Sequence, residues 1–318
     1  MTELSIIIVS WNAKTYILEC LTSLRAATSS LRVEIIVVDN ASSDGSVEEV
    51  RAQFPDVKLI EAGSNLGFAK ANNIGMKAAS GRHVALINSD VNVPPNCLPT
   101  LIRHMEQFPQ IGLIGPRMLS SNGEVRRSTM KFPTIWDCFV RAIAFDTLFK
   151  GTGLFSGFLN FDLDFTKVQD VDVLNGWFWM TRREALQQVG GLDEQFFMYG
   201  EDMDWCKRFH QAGWRVVFFP EAEAIHYGGA SSANAPVRFY VEMQRANLQY
   251  WKKHHGPTSL LLYWLTVWLN NFIRTTGYAL VYLWKRSSHS QALLEIRRNL
   301  AGLRSLMGLK AYQEVDAR

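Results

Sequence analysis

Short β-branched apolar runs punctuate the first hundred residues: Leu4-Ser-Ile-Ile-Ile-Val9, Val33-Glu-Ile-Ile-Val-Val38, Val57-Lys-Leu-Ile60 and His83-Val-Ala-Leu-Ile87. Near-continuous hydrophobicity fits strands covered on both faces, as in a parallel sheet layered with helices. Between these runs the spacing turns helical over 15–27, 46–53 and 69–79, and Gly81 is expected to close the last helix in a left-handed conformation. This rhythm predicts right-handed βαβ units, whose ligands bind beyond the carboxyl ends of the strands. Polar residues stand at those ends: Ser10-Trp11-Asn12 after the first run, Asp39-Asn40 with Ser42 after the second, and Asn88-Ser89-Asp90 after the fourth. Each alone reads as a turn or N-cap. Three on one edge outline a binding rim.

Residues 117–170 are irregular and rich in Phe, Gly and Ser, and read as loops and short elements over that edge. A second ordered block follows: a strand near 171–174, a helix near 182–189, an acidic cluster, a helix through 205–212 and a strand over 215–219. The expected division is a catalytic domain over 1–237, with halves meeting near 116, and a helical extension over 238–318.

Composition narrows the class. With 318 residues, 47% apolar and 20% charged, the chain is globular, which excludes collagen, long disorder and a disulfide scaffold. Cys20, Cys97, Cys138 and Cys206 lie too far apart for a metal knuckle or redox dithiol, and scattered thiols fit a reducing compartment. The opening residues lack a basic n-region and a long apolar run, so a cytoplasmic location is expected. The net charge of +3 hides an asymmetry: residues 238–318 carry 12 Lys+Arg against 4 Asp+Glu, and the remainder 21 against 26.

The turn Asp39-Asn-Ala-Ser-Ser-Asp44-Gly45 offers acceptors to the hydroxyl and N–H donors of a nucleoside, and Asn65-Leu-Gly67-Phe68 with Asn72 adds amides at a helix start. No G-x-G-x-x-G or P-loop pattern occurs. Asp90 is a hard oxygen ligand suited to a divalent cation beside a diphosphate, and His226 is a candidate second ligand if the following Tyr227-Gly228-Gly229 turn swings it over the rim. Glu201, Asp202 and Asp204 crowd among aromatics, which raises at least one carboxyl pKa and favours a general base. The same acids also suit a helix N-terminus, where the dipole welcomes them.

Taken in order, Val9-Ser-Trp-Asn12, Val38-Asp-Asn-Ala-Ser-Ser-Asp-Gly45, Asn65-Leu-Gly-Phe-Ala69, Asn88-Ser-Asp90, Gly190-Gly-Leu-Asp193 and Glu201-Asp-Met-Asp-Trp205 resemble glycosyltransferase family 2, in its rhamnosyltransferase-like branch, over residues 4 to 230. The resemblance implies a GT-A fold (an α/β, mostly parallel Rossmann-like sheet flanked by helices), a nucleotide-sugar donor, Mg²⁺ or Mn²⁺, and inversion. It implies that Ser10, Trp11, Asn12, Asp39, Asn40, Ser42, Asn65, Gly67, Phe68, Asn72 and Asn88 hold the nucleotide sugar. Asp90 and His226 match the metal ligands and Asp202 the base. Trp177, Glu201 and Trp205 are expected at the acceptor. Asn88 departs from the family's D-x-D pattern and removes one negative charge. The donor implied first is dTDP-rhamnose and second a UDP-sugar; the acceptor is a lipid-linked or polysaccharide glycan, and no nucleic acid is expected. A silent homologue acting as a scaffold and a nucleotidyltransferase are the alternatives. The first is opposed by the Glu201-Asp202 pair, and the second by the lack of a glycine-rich basic loop after the first strand.

The tail adds Tyr263, Trp264, Trp268, Phe272, Tyr278, Tyr282 and Trp284, then a stripe of Leu293, Ile296, Leu300, Leu303 and Met307 beside Arg297, Arg298 and Arg304. Aromatics with basic flanks suit helices lying in an anionic headgroup layer, on the cytoplasmic face of the inner membrane. Packing on the catalytic domain, or on a second copy in a homo-oligomer, is the alternative.

Overall fold

The computed structural model describes residues 2–149, 152, 155, 163–228, 235–285 and 288–311, so Gly229 of the expected turn lies outside the described residues. In chain order the elements are β1 (Leu4–Ser10), α1 (Lys14–Ala27), β2 (Val33–Asp39), α2 (Ser46–Gln53), β3 (Lys58–Glu61), α3 (Phe68–Ala78), β4 (His83–Asn88), β5 (Val91–Asn92), α4 (Cys97–Gln107), β6 (Ile111–Leu119), β7 (Val125–Arg126), β8 (Thr129–Met130), α5 (Ile135–Ala142), α6 (Phe145–Leu148), β9 (Gln169–Asp170), β10 (Val173–Leu174), β11 (Phe178–Arg182), α7 (Arg183–Val189), α8 (Glu201–Gln211), β12 (Arg215–His226), α9 (Pro236–His254), α10 (Pro257–Trp284) and α11 (His289–Leu306). Two compact units result. Residues 1–130 and 163–231 form one, and residues 131–162 and 232–318 form the other. Residues 131–162, read from sequence as loops over the rim, contribute α5 and α6 to the helical unit.

In the first unit, among the described residues, the main sheet runs β3-β2-β1-β4-β11-β6-β12-β5, with β7 beside β6 and β9 beside β12. β3, β2, β1 and β4 are parallel neighbours, as their apolar runs predict. Ile6, Ile8, Val37, Ala85 and Ile87 pack with Ile17, Leu21, Leu24 and Leu101 of α1 and α4 into one buried core. β11 was not legible in the sequence. It inserts antiparallel between β4 and β6, with all five residues buried, and makes the sheet mixed. Two of its polar side chains are satisfied by backbone: Thr181 Oγ1 donates to the Gly112 carbonyl (2.7 Å), and the Arg182 guanidinium to the Ile111 and Met105 carbonyls.

β12 runs on to His226, well past Phe219 where the apolar run pointed to its end. Its register on β6 slips between Phe219 and Glu223, at Pro220, which has no N–H to give the ladder. Gly81 also differs from expectation. α3 ends at Ala78 without a left-handed residue, and Gly81 serves close packing instead, since a Cβ there would lie 2.5 Å from the Ser5 backbone nitrogen.

Segment 190–200 is tied to the start of α3. Asn73 exchanges hydrogen bonds with the Leu192 backbone, giving Nδ2 to the carbonyl (2.8 Å) and receiving its N–H at Oδ1 (2.9 Å). The Phe68 N–H donates to the Phe197 carbonyl at 2.7 Å. Gly67, at φ +81° and ψ −178°, permits this approach, because a Cβ would overlap the Phe197 carbonyl.

The helical unit is built around polar groups. Tyr240 Oη lies 2.9 Å from Asn271 Oδ1 and 3.0 Å from Asn299 Oδ1, and Gln244 Nε2 donates to Asn271 Oδ1 at 3.0 Å. Asn271 and Asn299 are fully enclosed, while Leu261, Leu265, Phe272, Leu283, Leu300 and Met307 are exposed. No described helix is long and apolar enough to cross a membrane.

Gly67→Ala is expected to destabilise the first unit by about 1–3 kcal/mol, the usual cost of a side chain in a glycine-only backbone region. Denaturant titration of the two proteins checks this.

Candidate active site

The carboxyl ends of β1 and β2 form the first part of the rim. The two loops brace one another: Asn12, itself at φ +47°, receives the Ser43 N–H at Oδ1 (2.8 Å) and gives its own N–H to Ser42 Oγ (3.0 Å). Asp39 Oδ2 accepts the Ser42 N–H at 3.1 Å. Asn40 spans to the next loop, giving Nδ2 to Asn65 Oδ1 (3.0 Å) and the Gly67 carbonyl (3.2 Å) and accepting the Leu66 N–H (2.8 Å). Asn72 Nδ2 bonds back to the Phe68 carbonyl at 3.0 Å, and the Phe68 ring meets Trp179 edge-on. Asn12, Asn40, Ser42, Asn65 and Asn72 therefore spend side-chain groups on building the rim. Ser10 Oγ and Asp39 Oδ1 differ: both are buried and have no protein partner. Buried groups of this kind call for a partner from outside the protein, a water or a ligand. Trp11 is half-buried beside them.

The second part lies where β12 reaches β5. His226 pairs with Val91, directly after Asp90, so the strand itself delivers the imidazole. His226 Nε2 sits 3.1 Å from Asp90 Oδ1, and Asp90 Oδ2 accepts the Gly228 N–H at 3.1 Å. The expected swing through a turn is unnecessary, because the slip at Pro220 redirects the strand. Trp177 stacks on His226 at 5.6 Å and 23°, and its carbonyl accepts the Asn88 N–H at 3.0 Å. Neighbouring donors of an octahedral Mg²⁺ stand about 3 Å apart. The Asp90–His226 spacing therefore fits a small divalent ion, with the other positions left to ligand oxygens. Among the described residues no cluster of three or more metal-ligating side chains occurs.

The third part is the first turn of α8, where the acids separate by environment. Asp204 is fully buried and ion-paired with Arg208 at 2.8 Å. Glu201 is buried, and its Oε2 has no partner. Burial, reinforced by the neighbouring Asp202 charge, pushes its pKa up to about 8. Asp202 is half-buried, and loss of solvation raises it to about 6 against the hydrogen bond its Oδ1 accepts from the Met203 N–H. Gly176, next to Trp177, faces this turn: a Cβ on it would lie 3.6 Å from Glu201 Oε1. Segment 175–177 thus touches both the Asp90–His226 pair and the acidic turn.

Three expected acceptor contacts need correction. Trp205 is fully enclosed, packing on Trp179 and Phe209 with its indole N–H on the Gly190 carbonyl, and offers no face to a sugar. Glu201 is sealed beneath the turn, and Trp177 spends a face on His226. Both indoles belong to aromatic surroundings that sequence spacing does not separate from a binding platform. One site-building residue, Gly176, carries no local signal in the sequence, whereas Asn73 belongs to the amide-rich helix start that also contains Asn72.

Residues 5–190 match the family model for glycosyl transferase family 2. The chain belongs to that family. It is similar to N-acetylglucosaminyl-diphospho-decaprenol L-rhamnosyltransferase of Mycobacterium tuberculosis, with 29% identity over 248 residues covering 74% of this chain and 80% of the relative. Rhamnosyltransferase WbbL of Escherichia coli K12 is 28% identical over 235 residues, covering 70% and 82%. Among solved structures, mannosyltransferase PcManGT from Pyrobaculum calidifontis, in complex with GDP-Man and Mn²⁺, superposes with a TM-score of 0.56 at 17% identity, over 96% of this chain and 88% of that one. The mixed sheet flanked by helices is accordingly of the GT-A type expected from the motifs.

A carboxyl whose folded pKa exceeds its unfolded value stabilises the fold most fully below the unfolded pKa and loses that contribution as pH rises through the folded one. For Glu201 this window runs from the ordinary glutamate range to about 8. Glu201→Gln is therefore expected to gain thermal stability relative to wild type as pH rises from 5 to 8.5, measured by differential scanning fluorimetry.

Proposed function

We propose that this chain moves a deoxyhexose, with rhamnose the first candidate, from a nucleoside diphosphate to a hydroxyl of a lipid-linked or polysaccharide acceptor in one inverting displacement. The observation that carries this reading is the 175–177 segment, with the cation-ready Asp90–His226 pair at one end and the raised Asp202–Glu201 turn at the other. The relatives named as rhamnosyltransferases favour rhamnose as the sugar; dTDP-rhamnose is the donor proposed first and a UDP-sugar second.

The residues divide the work. Asp39 Oδ1 and Ser10 Oγ, with no protein partner, take hydroxyl or N–H groups of the nucleoside, while Asn12, Asn40, Ser42, Asn65, Gly67 and Asn72 hold the surrounding loops in register. Asp90 and His226 would hold Mg²⁺ or Mn²⁺, whose charge offsets that gathering on the departing diphosphate. The Trp177 ring fixes the imidazole plane. Glu201, protonated near neutral pH, keeps a second negative charge off the turn and leaves Asp202 to ionise. Asp202 takes the proton from the acceptor hydroxyl as its oxygen bonds to the anomeric carbon, and the bond from that carbon to the phosphate oxygen breaks, its electron pair leaving with the diphosphate. One base and one displacement invert the centre.

The helical unit supports attachment to an anionic membrane surface. α10 exposes Leu261, Leu265, Trp268, Phe272 and Leu283 along one helical stripe and buries Tyr263, Thr266 and Asn271. α11 likewise exposes Leu293 and Leu300, with Met307 just past its end, while burying Ala292, Asn299, Ala301 and Gly302. Large apolar side chains outward and small or polar ones inward is the distribution of helices surrounded by lipid. Lys252, Lys253, Arg274, Lys285 and Arg297 supply the positive charge such helices carry against anionic headgroups.

Asp202→Asn is expected to lower turnover by about a hundredfold or more, the scale of a lost general base, with donor affinity retained. The wild-type rate should fall on the acid side as Asp202 protonates near pH 6. Steady-state kinetics with dTDP-rhamnose and UDP-sugars decide both points, and a rate equal to wild type in the variant would remove Asp202 from the chemistry. Flotation with phosphatidylglycerol liposomes tests the surface: Leu265→Glu/Trp268→Glu/Phe272→Glu should stay at the bottom of the gradient while wild type floats. A shift from dimer to monomer in that variant, with no flotation of wild type, would instead assign the stripe to a second copy of the chain.

A further inference from the structure

We propose that Arg126 is a phosphate-binding residue of the donor site, gripping the diphosphate beside the Asp90–His226 pair; this rests on the nucleoside-diphosphate reading above. Arg126 lies on β7, the return strand of a hairpin that no motif singled out. The turn is closed by the Ser120 N–H on the Glu124 carbonyl and the Gly123 N–H on the Ser120 carbonyl, both at 2.9 Å. Three separate observations bring its guanidinium to the rim.

Arg126 pairs directly across the ladder with Met118. Residues directly opposite in an antiparallel pair share a face, with Cβ atoms about 5 Å apart. Met118 Sδ lies 3.3 Å from His226 Nδ1, so the Arg126 side chain starts on the face that carries the histidine. Gly228 gives the second bearing. Its N–H holds Asp90 Oδ2, and a Cβ built on it would lie 3.6 Å from Arg126 Nη1 and 3.8 Å from His226 Cε1. The guanidinium thus stands over the same residue that fixes the Asp90 carboxylate. Finally, Arg126 is exposed and its guanidinium makes no hydrogen bond or ion pair among the described residues, whereas Arg117, Arg208 and Arg215 of the same unit are each ion-paired.

Charge gives the reason for a cation at this spot. A sugar nucleotide carries two negative charges on its diphosphate. A divalent ion on a single carboxylate leaves one net positive charge, and Arg126 supplies the second. When the sugar departs, the free diphosphate gains a further negative charge, and a guanidinium can meet it with two parallel N–H donors.

Isothermal titration with dTDP and UDP in the presence of Mn²⁺, together with NMR titration of thymidine and uridine, tests the assignment on the full chain. Arg126→Ala should bind the preferred nucleoside diphosphate about tenfold more weakly or worse, the scale of a charged hydrogen bond, with nucleoside affinity and thermal stability unchanged. Arg126→Lys should fall between the two. An Arg126→Ala protein that binds the diphosphate as tightly as wild type, or that loses nucleoside and diphosphate in equal proportion, overturns the proposal while leaving the donor reading in place. Wild type that binds neither diphosphate overturns the donor reading, and this assignment with it.

Discussion

Pro220 cannot complete the ladder between β12 and β6, and the geometry of the rim follows from that missing N–H. The register slips before Glu223, and β12 then continues between β6 and β5, with Ile225 opposite both Leu119 and Asn92 and His226 opposite Val91. Glu223 meets Arg117 just past the slip and fixes the new register with an ion pair. Three residues later His226 stands 3.1 Å from Asp90. A strand that kept its register would deliver a different residue to β5, and would turn alternate side chains to the opposite face. The cation-ready pair is therefore a property of sheet register before it is one of side-chain chemistry, and Trp177 and Met118 only refine the imidazole's orientation.

The acidic turn shows how one stretch of sequence serves two physical ends. A helix N-terminus welcomes carboxylates through its dipole and free N–H groups, and Glu201, Asp202 and Asp204 all lie in the first turn of α8. Desolvation opposes this, and it acts unequally. Asp204 finds Arg208 and resolves its charge as a buried ion pair. Glu201, with no counter-charge, resolves it by keeping its proton. Asp202 retains enough solvent to ionise, at a pH above the usual aspartate range. Electrostatic repulsion links the neighbours: after burial, the adjacent Asp202 charge helps hold the proton on Glu201.

How far the sequence was legible follows from which forces act locally. The parallel half of the sheet could be read because strands buried on both faces must be nearly all apolar, and β1, β2 and β4 contain little else. Ser10, Asp39 and Asp90 could be read because the carboxyl ends of such strands are where a binding rim lies. β11 could not: its five residues include a threonine and an arginine whose shortest hydrogen bonds go to backbone carbonyls 69 to 77 residues away in sequence. Trp205 misled for a related reason, since an indole beside a catalytic motif has the same sequence signature whether it stacks on a sugar or fills a core. The slip at Pro220 likewise leaves no trace in apolar periodicity, so His226 could be named as a candidate ligand while its route to Asp90 along β12 could not.

In the helical unit the usual logic of patterning is inverted, and the inversion has a physical origin. The stripe of Leu293, Leu300 and Met307 has the spacing of an inward face, yet it is Ala292, Asn299 and Gly302 that are enclosed. The helices are joined by Tyr240, Gln244, Asn271 and Asn299, and Gly302 leaves the room they need, because a Cβ there would lie 2.5 Å from Gln244 Oε1 and 2.8 Å from Asn271 Oδ1. The same unit also buries Val241, Tyr250, Trp251 and Tyr263, with the Trp251 and Tyr263 rings stacked at 4.9 Å, so apolar burial and hydrogen bonds between helices act together. Asn270-Asn271, which reads along the chain as an interruption of an apolar helix, is on this argument part of what holds the bundle together: Asn271 accepts from two neighbours on α9, and Asn270 binds the Arg274 guanidinium on its own helix.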